Sequence, residues 1–398
     1  MAAPKVTIVV APRERFSPAA DCFEHLVSRT PQAVQWIYVD TGIPEDLRQR
    51  IQAAAPVEWI TTARYASPNE ARNAGLAAAR GEYVIFLDND VMVGSDWLEP
   101  LVRCADETGA WVVGPLYMID DQVHMAGGKL CFEDTPDGRI LREEHQHADC
   151  TLQELELSRQ PCDYVEFHCM LIRRERIEPL REELLSLHEH LDLCLSVQAR
   201  GGSIYLEPAS QVTYLTPPPF DTADIPFFTL RWCEAWNRSS TLYFKARWQV
   251  VSIPTEEDDV DALVWARGHR RRLTGTSWRP INIPPEQHLA WIVAAFMAVD
   301  CHYFEVHLDG ELEVRSGHEL LSGSLPIQRL RPCAEAGGPR ICPNAPEGSA
   351  FLTTSSGSWA AVLNGPAGDI PWIELGTEVE SASLGRVLTT AQWPLRVA

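Results

Sequence analysis

Three polar residues, Asp88, Asn89 and Asp90, close the apolar run Tyr83–Leu87. A run of that length reads as a buried strand. Two carboxylates at its end repel each other and lose hydration unless something compensates them. One answer is local: an Asp caps the element that follows. The other is a hard divalent cation, Mg2+ or Mn2+. Such an ion takes one or two protein carboxylates and completes its shell with phosphate oxygens and water. It would also neutralise the charge growing on a leaving diphosphate. A second ionisable group, Glu189, His190 and Asp192, opens the helical stretch "HEHLDLCLSVQARGG". Acids there suit a helix N-terminus in their own right. On a helix, 189 and 192 share a face while 190 points away by about 100°.

The elements that would carry these groups alternate between strand and helix. "VTIVVAP", "VQWIYVD", "VEWITT" and "YVIFLDND" have strand patterns, and helical patterns separate them. In "SPNEARNAGLAAAR", Ser67 is the N-cap, Pro68 is N1 and Glu70 is N3, which makes a capping box. Such alternation predicts an α/β fold, a mainly parallel sheet flanked by helices. Ligands of these sheets bind beyond the carboxyl ends of the strands. Three strands end there in polar or turn residues: Pro12 to Glu14, Asp40 to Gly42, and Asp88 to Asp90. The acids therefore belong at the mouth of a cleft.

"SPNEARNAGLAAARGEYVIFLDND" resembles the N-x-A-R-N-x-G … G-x-Y-h-h-F-L-D-x-D block of family-two inverting glycosyltransferases, which have the GT-A fold. "TIVVAPRERF" and "WIYVDTG" occupy the places of that family's first two strands, and the resemblance covers residues 5 to 245. It is nearest to a bacterial branch of unassigned substrate. The resemblance implies an Asp-x-Asp motif in which Asp88 and Asp90 bind Mn2+ or Mg2+ and, through it, the diphosphate of a nucleoside-diphosphate sugar donor. Asn89 lies between them at the donor. Asp40 would face the nucleobase, and Arg72 and Asn73 would line the nucleotide pocket. Ala11, Pro12 and Glu14 would border base and ribose. The implied reaction is one in-line displacement at the anomeric carbon, toward a saccharide, lipid-linked or protein acceptor.

Relatives usually open the helix at 189 with Glu-Asp-x-Asp, whose second residue is the general base. Here Glu189 and Asp192 match the outer positions, and His190 stands where the base is usual. A His beside a carboxylate can act as base, and Glu189 is the other candidate. The family often adds a His as third metal ligand, where this chain has Tyr214. Neutral Tyr is a poor ligand for either ion. These two departures keep a rival open: a non-catalytic member that binds nucleotide or a partner. A nucleotidyltransferase is a second rival, but "APRERFS" lacks the Gly-rich phosphate loop expected after the first strand.

The bulk properties set limits. A net charge of −21 over 398 residues argues against a nucleic-acid partner. The eleven cysteines are scattered without a C-x-x-C pair, mostly inside apolar runs, as reduced core thiols are. With no signal-peptide pattern in "MAAPKVTIVVAPRERF", a cytoplasmic location is expected. The longest apolar stretch, Leu289–Val299, is about half of the roughly 20 residues that span a bilayer. The basic run "RGHRRR" (267 to 272) leaves room for peripheral membrane contact. A shift in composition near 250 to 275 divides the chain into a first domain (1–250), which the resemblance implies is GT-A, a linker helix (251–275) and a smaller accessory domain (276–398). The last is read as α+β or β-rich, with an apolar helix near 286 to 300 and a hairpin in "YFEVHLDGELEVR". Residues 133 to 160 read as a loop and a surface helix. His124, Gly127 and Gly128 of "HMAGG", and Glu166 and His168 of "EFHCM", are weaker candidates for an acceptor or sugar pocket. So is the aromatic stretch holding Arg231, Trp232, Trp236 and Asn237.

Overall fold

A computed structural model describes residues 4–217, 224, 227–228, 231–232 and 234–253, together with strand residues 304–308, 312–316, 350–351, 353–354 and 362–363. The first half alternates as its sequence pattern requires. The order is β1 (Val6–Ala11), α1 (Ala19–Ser28), β2 (Gln35–Asp40), α2 (Glu45–Ala54), β3 (Glu58–Thr61), α3 (Pro68–Ala78) and β4 (Tyr83–Asp88). Every residue of β1, β2 and β4 is buried. The capping box of α3 forms: Glu70 N–H donates to Ser67 Oγ, and Ser67 N–H to Glu70 Oε2.

Next come β5 (Val91–Val93), α4 (Leu98–Thr108), β6 (Val112–Ile119), β7 (Gln122–Met125), β8 (Gly128–Thr135) and β9 (Gly138–His145). They are followed by β10 (Gln160–Pro161), β11 (Cys169–Arg173), α5 (Glu189–Ala199), β12 (Ile204–Tyr214) and α6 (Glu234–Trp248). Ten strands form one sheet along the path β10-β12-β6-β11-β4-β1-β2-β3, with β5 on β12 and β7 on β6. Strands β3, β2, β1 and β4 run parallel, as do β6 and β12. The sheet is mixed because β11 inserts antiparallel between β4 and β6.

That insertion positions the site. Ala11 on β1 lies beside Asp88 on β4. On the other flank of β4, Asp88 N–H donates to His168 O at 3.2 Å, continuing the β4–β11 ladder one residue beyond Cys169. The ends of β1, β4 and β11 thus meet at one edge.

Residues 133 to 160 differ from the loop and surface helix expected of them. The first part of that stretch, residues 133–145, belongs to a two-stranded ribbon of β8 and β9, paired from Gly128↔His145 to Thr135↔Gly138, and its only described helix is the 3-10 turn Leu152–Glu154. The signal was a hairpin turn, "TPDG", flanked by short alternating segments. Gly138, at φ +130°, takes the conformation the turn needs. The polarity that suggested a loop is the exposed face of the ribbon.

The chain groups into two compact units, Met1–Pro217 with Ser239–Ala262 and Pro218–Arg238 with Leu263–Ala398. In the second, β13 (Phe304–Leu308) and β14 (Leu312–Ser316) pair antiparallel, as the hairpin reading expected. Residues 254–275 of the expected linker helix, the basic run and the apolar helix near 286 to 300 lie outside the described residues. Cys22, Cys104, Cys131, Cys150, Cys162, Cys169 and Cys194 all carry free thiols. No helix among the described residues is long and apolar enough to cross a membrane.

Candidate active site

Asp88, Asn89 and Asp90 are all buried where β4 ends, with Asp90 at 0% exposure. Their surroundings are cationic. Arg72 Nη2 donates to Asp88 Oδ1 at 3.0 Å, and the Arg72 guanidinium lies 3.9 Å from the Phe167 ring centre. Arg13 Nη1 stands 3.8 Å from Asp88 Oδ2 and Arg15 Nε 3.5 Å from Asp90 Oδ2. Asn89 Nδ2 donates to Arg15 O at 2.7 Å, so the middle residue of the triplet fixes the loop that brings in these two arginines. Neither Arg13 nor Arg15 was singled out from sequence; the signal was their alternation with Glu14 after β1. Glu14 is buried too, accepting from Tyr214 Oη at 3.0 Å and pairing with Arg13 at 3.3 Å.

The two aspartates differ in charge preference. Burial pushes Asp88 up, but Arg72, His168 and Arg13 outweigh it and hold its carboxyl below the usual range. Burial also pushes Asp90 up; Arg15 opposes, but Glu14 and Asp88 add to the rise, and its carboxyl sits above that range. Neither Asp90 oxygen accepts a hydrogen bond from the described residues. A buried carboxylate in that condition is costly unless a cation joins it.

Sequence reasoning gave His168 only a pocket-lining role. Its Nδ1 stands 3.2 Å from Asp88 Oδ2, and its ring stacks on Tyr214 with centres 4.1 Å apart. Asp88, Asp90 and His168 each offer a ligand atom within 4.8 Å of the others. Two carboxylates and an imidazole form a donor set suited to Mn2+ or a similar ion. An imidazole, absent at position 214, stands beside the acids at His168, one residue before β11. A linear motif could not reveal it, because it depends on strand pairing.

The helix-start group divides. His188, the N-cap of α5, has φ +65°, a left-handed conformation uncommon for a residue with a side chain. Beyond it, Glu189 and Asp192 share a cavity wall with Asn69 and residues 177–181. Asp192 Oδ1 accepts from Arg247 Nε at 2.7 Å and Trp248 Nε1 at 2.8 Å, which ties α5 to α6. His190 turns the other way. Its ring packs on Tyr164, centres 5.7 Å apart, and its buried Nε2 makes no hydrogen bond among the described residues, with Glu143 Oε2 at 3.9 Å. Burial lowers its pKa, so the ring is neutral near pH 7.

Around it lie more imidazoles. His124 Nε2 stands 3.0 Å from Glu166 Oε2, His145 Nε2 3.7 Å from Glu166 Oε1, and His168 Nε2 3.5 Å from Glu166 Oε2. Burial pulls His124 down, but Glu166 outweighs it and raises its pKa; burial pushes His145 down to about 4. His145, Glu143 and Tyr164 were not among the sequence candidates.

The remaining nucleotide-pocket candidates are held by structural contacts. Asp40 Oδ1 accepts from Gly42 N–H and Ile43 N–H, and Oδ2 pairs with Arg48. Asn73 bonds Leu180 O, Leu180 N–H and Glu182, so its amide is brought to the 180–182 segment. Pro12 is buried directly after β1.

Residues 7–178 match the family described as Glycosyl transferase family 2. The uncharacterized protein y4gI of Sinorhizobium fredii is 26% identical over 62% of this chain and 28% of its own length. The succinoglycan biosynthesis protein ExoO of Rhizobium meliloti is 33% identical over 27% of this chain and 32% of its own. The chain thus spans less than a third of the length of either curated relative. A crystal structure of GalNAc-T7 with UDP, GalNAc and Mn2+ overlaps at a TM-score of 0.45 and 15% identity, over 69% of this chain and 56% of that one. So loose an overlap carries no argument. The mostly parallel sheet flanked by helices, with acids at its strand ends, is the α/β arrangement that the sequence pattern predicted. Over residues 7–178, this chain is similar to glycosyltransferase family 2.

Proposed function

We propose that the protein transfers a sugar, with inversion, from a nucleoside-diphosphate sugar to an acceptor hydroxyl, assisted by Mn2+ or Mg2+. One observation carries this reading. The Asp90 carboxylate is fully buried beside Asp88 and His168, at the mouth of parallel strands, without a hydrogen bond from the described residues. Asp88, Asp90 and His168 would hold the ion. When bound, it takes up negative charge on the departing diphosphate. His168 suits the role through its second nitrogen: Nε2–H can donate to Glu166 while Nδ1 faces the ion. Arg13, Arg15 and Arg72 keep the acidic edge near neutrality. Pro12, Glu14, Asp40, Arg72, Asn73 and Asn89 are assigned to the nucleotide side.

His190 is the proposed base. A neutral imidazole with a buried nitrogen lacking a hydrogen bond among the described residues can accept the acceptor's proton. Inversion follows if the attack of the acceptor oxygen and the diphosphate's departure lie on opposite faces of the sugar. Residues 276–398 are assigned an accessory role outside the chemistry.

Calorimetric titration with UDP and GDP, with and without Mn2+, tests the reading. Nucleotide should bind only with the ion, and Asp90→Asn should abolish binding. Metal-independent binding that survives in Asp90→Asn would refute it. Donor hydrolysis over a panel of nucleotide sugars then identifies the sugar.

A further inference from the structure

Beside the acidic cluster, three side chains from separate segments converge on another point. His124 comes from β7, His145 closes β9, and Glu166 precedes β11. Each offers a ligand atom within 4.8 Å of the other two. Glu166 sits between the imidazoles, Oε2 at 3.0 Å from His124 Nε2 and Oε1 at 3.7 Å from His145 Nε2. The two rings stand nearly perpendicular, at 85°, with centres 4.8 Å apart. Bonds of about 2.0–2.1 Å in a tetrahedral site put neighbouring ligand atoms about 3.4 Å apart. The 3.0 and 3.7 Å separations bracket that value.

The scaffold is rigid where it needs to be. Ala126 N–H donates to Gln146 O and Gln146 N–H to Gly127 O, which laces the end of β7 to the residue after His145. Gly128 lies flat against Tyr164; a Cβ there would come 2.1 Å from the ring. Tyr117 Oη accepts from Glu166 N–H at 3.1 Å and lies 2.9 Å from Glu166 O. A purely hydrogen-bonded cluster needs less than this. One carboxylate neutralises one imidazolium, and each further protonated ring beside it is repelled. Yet His124, His145 and His168 all face Glu166.

We propose that His124, His145 and Glu166 form a second divalent-metal site, of the two-imidazole, one-carboxylate kind, that takes Zn2+. Three protein ligands leave a position open for an oxygen ligand. The side chains are 22%, 27% and 13% exposed, so an ion can enter from solvent. His168 Nε2, 3.5 Å from Glu166 Oε2, orients the ligating carboxylate. The proposal stands on this cluster alone and does not depend on the transferase reading.

The test uses the metal-stripped full chain without nucleotide. Zn2+ retention is measured by metal analysis after gel filtration, and Co2+ serves as a visible-absorption probe of the same site. Wild type and Asp90→Asn should each retain one equivalent of Zn2+ at this site. His145→Gln and Glu166→Gln should weaken it by more than about 100-fold, beyond the loss typical of an outer-shell partner. Circular dichroism checks that the variants fold, and His124→Gln replaces any that does not. In the unmutated chain, Zn2+ should shift the imidazole NMR signals of His124 and His145. Retention lost in Asp90→Asn but kept in His145→Gln would place the ion on the acidic cluster and overturn the proposal. A wild type that retains no Zn2+ would overturn it as well, leaving a hydrogen-bonded cluster only.

Discussion

Along the acidic edge of the site, Asp88, Asn89 and Asp90 are consecutive in the chain and buried together. Along the histidine edge, His124, His145, Glu166 and His190 come from four separated segments and meet only through β7, the β8–β9 ribbon, β11 and α5. The first edge is one strand end, held by arginines delivered by the β1 loop and α3. The second is an assembly. Charge is matched in kind on the first, with Asp88, Asp90 and Glu14 facing Arg13, Arg15 and Arg72. On the second, imidazoles outnumber the carboxylates, and burial keeps His145 and His190 neutral at pH 7. Fixed charge suits one edge to a cation and a diphosphate; neutral nitrogens suit the other to accepting protons or holding a softer ion.

The largest effect should come from the acidic edge. Asp88→Asn removes the carboxylate that faces Arg72 in a fully buried pair. Breaking one partner of such a pair costs about 3–5 kcal/mol, measurable by urea denaturation. Mn2+-dependent UDP affinity should disappear in the same variant. A variant that loses stability yet binds UDP normally would show that the edge is structural, and the contrast with the histidine edge would collapse.

On the histidine edge, His190→Ala should lower turnover by about 10²–10⁴ and leave donor affinity within a few-fold. Since burial lowers the pKa of His190, the acid limb of the kcat profile should fall below the ordinary imidazole value of about 6.5. Glu189→Gln should be milder, because Glu189 lines the cavity against residues 177–181. If the two variants exchange these effects, the base is Glu189 and the edge is drawn wrongly.

A backbone variant sharpens the comparison without touching an ionisable group. In Gly128→Ala the new Cβ meets the Tyr164 ring at 2.1 Å, so ring or strand must shift. Overpacking of this kind costs about 1–3 kcal/mol. Tyr164 also carries the His190 ring, whereas the acidic edge lies on other strands. Turnover should therefore fall while Mn2+-dependent UDP affinity stays unchanged. Equal loss of both would mean the edges are mechanically one.

This asymmetry also decides what was legible beforehand. The acidic edge was readable because its chemistry is contiguous and its strand and capped helix follow local rules. Asp88, Asp90 and Arg72 could be placed from Ser67–Asp90 alone. His168 could not be given its place beside Asp88, since that depends on β11 running antiparallel to β4, a long-range pairing with no local signature. His145 was hidden by reading residues 133 to 160 as a loop and a surface helix. There the alternation was short and the polar face dominated, although "TPDG" marked the turn. At the start of α5, helical periodicity gave the facing correctly: 189 and 192 together, 190 apart. It could not say which face met the cleft. Asp192, bound to Arg247 and Trp248, holds two helices together.

The smallest effect probes the inequality inside the acidic edge, between Asp88 and Asp90. A carboxyl whose folded pKa is raised binds its proton more tightly in the folded state. It therefore supports folding at low pH and withdraws that support as pH rises from the unfolded value of about 3.9 through its folded value. Asp90 is of this kind, through burial first and then Glu14 and Asp88. Asp88, held low, behaves oppositely: its support is complete above the unfolded value and lost only as pH falls below it. Above pH 5 the changing contribution within the pair is thus Asp90's. Asp90→Asn removes it, so from pH 5 to 7 the variant should gain on the wild type, by no more than about 1.4 kcal/mol per pH unit. Urea denaturation of both proteins at pH 5, 6 and 7 measures this as a difference in which the other titrating groups largely cancel. Mn2+ with UDP should reverse the sign at pH 7, because the ion binds the ionised carboxylate and so stabilises only the wild type. A difference flat in pH would mean that Asp90 is not charge-frustrated in the free protein. A sign that Mn2+ and UDP leave unchanged would separate Asp90 from the ion altogether.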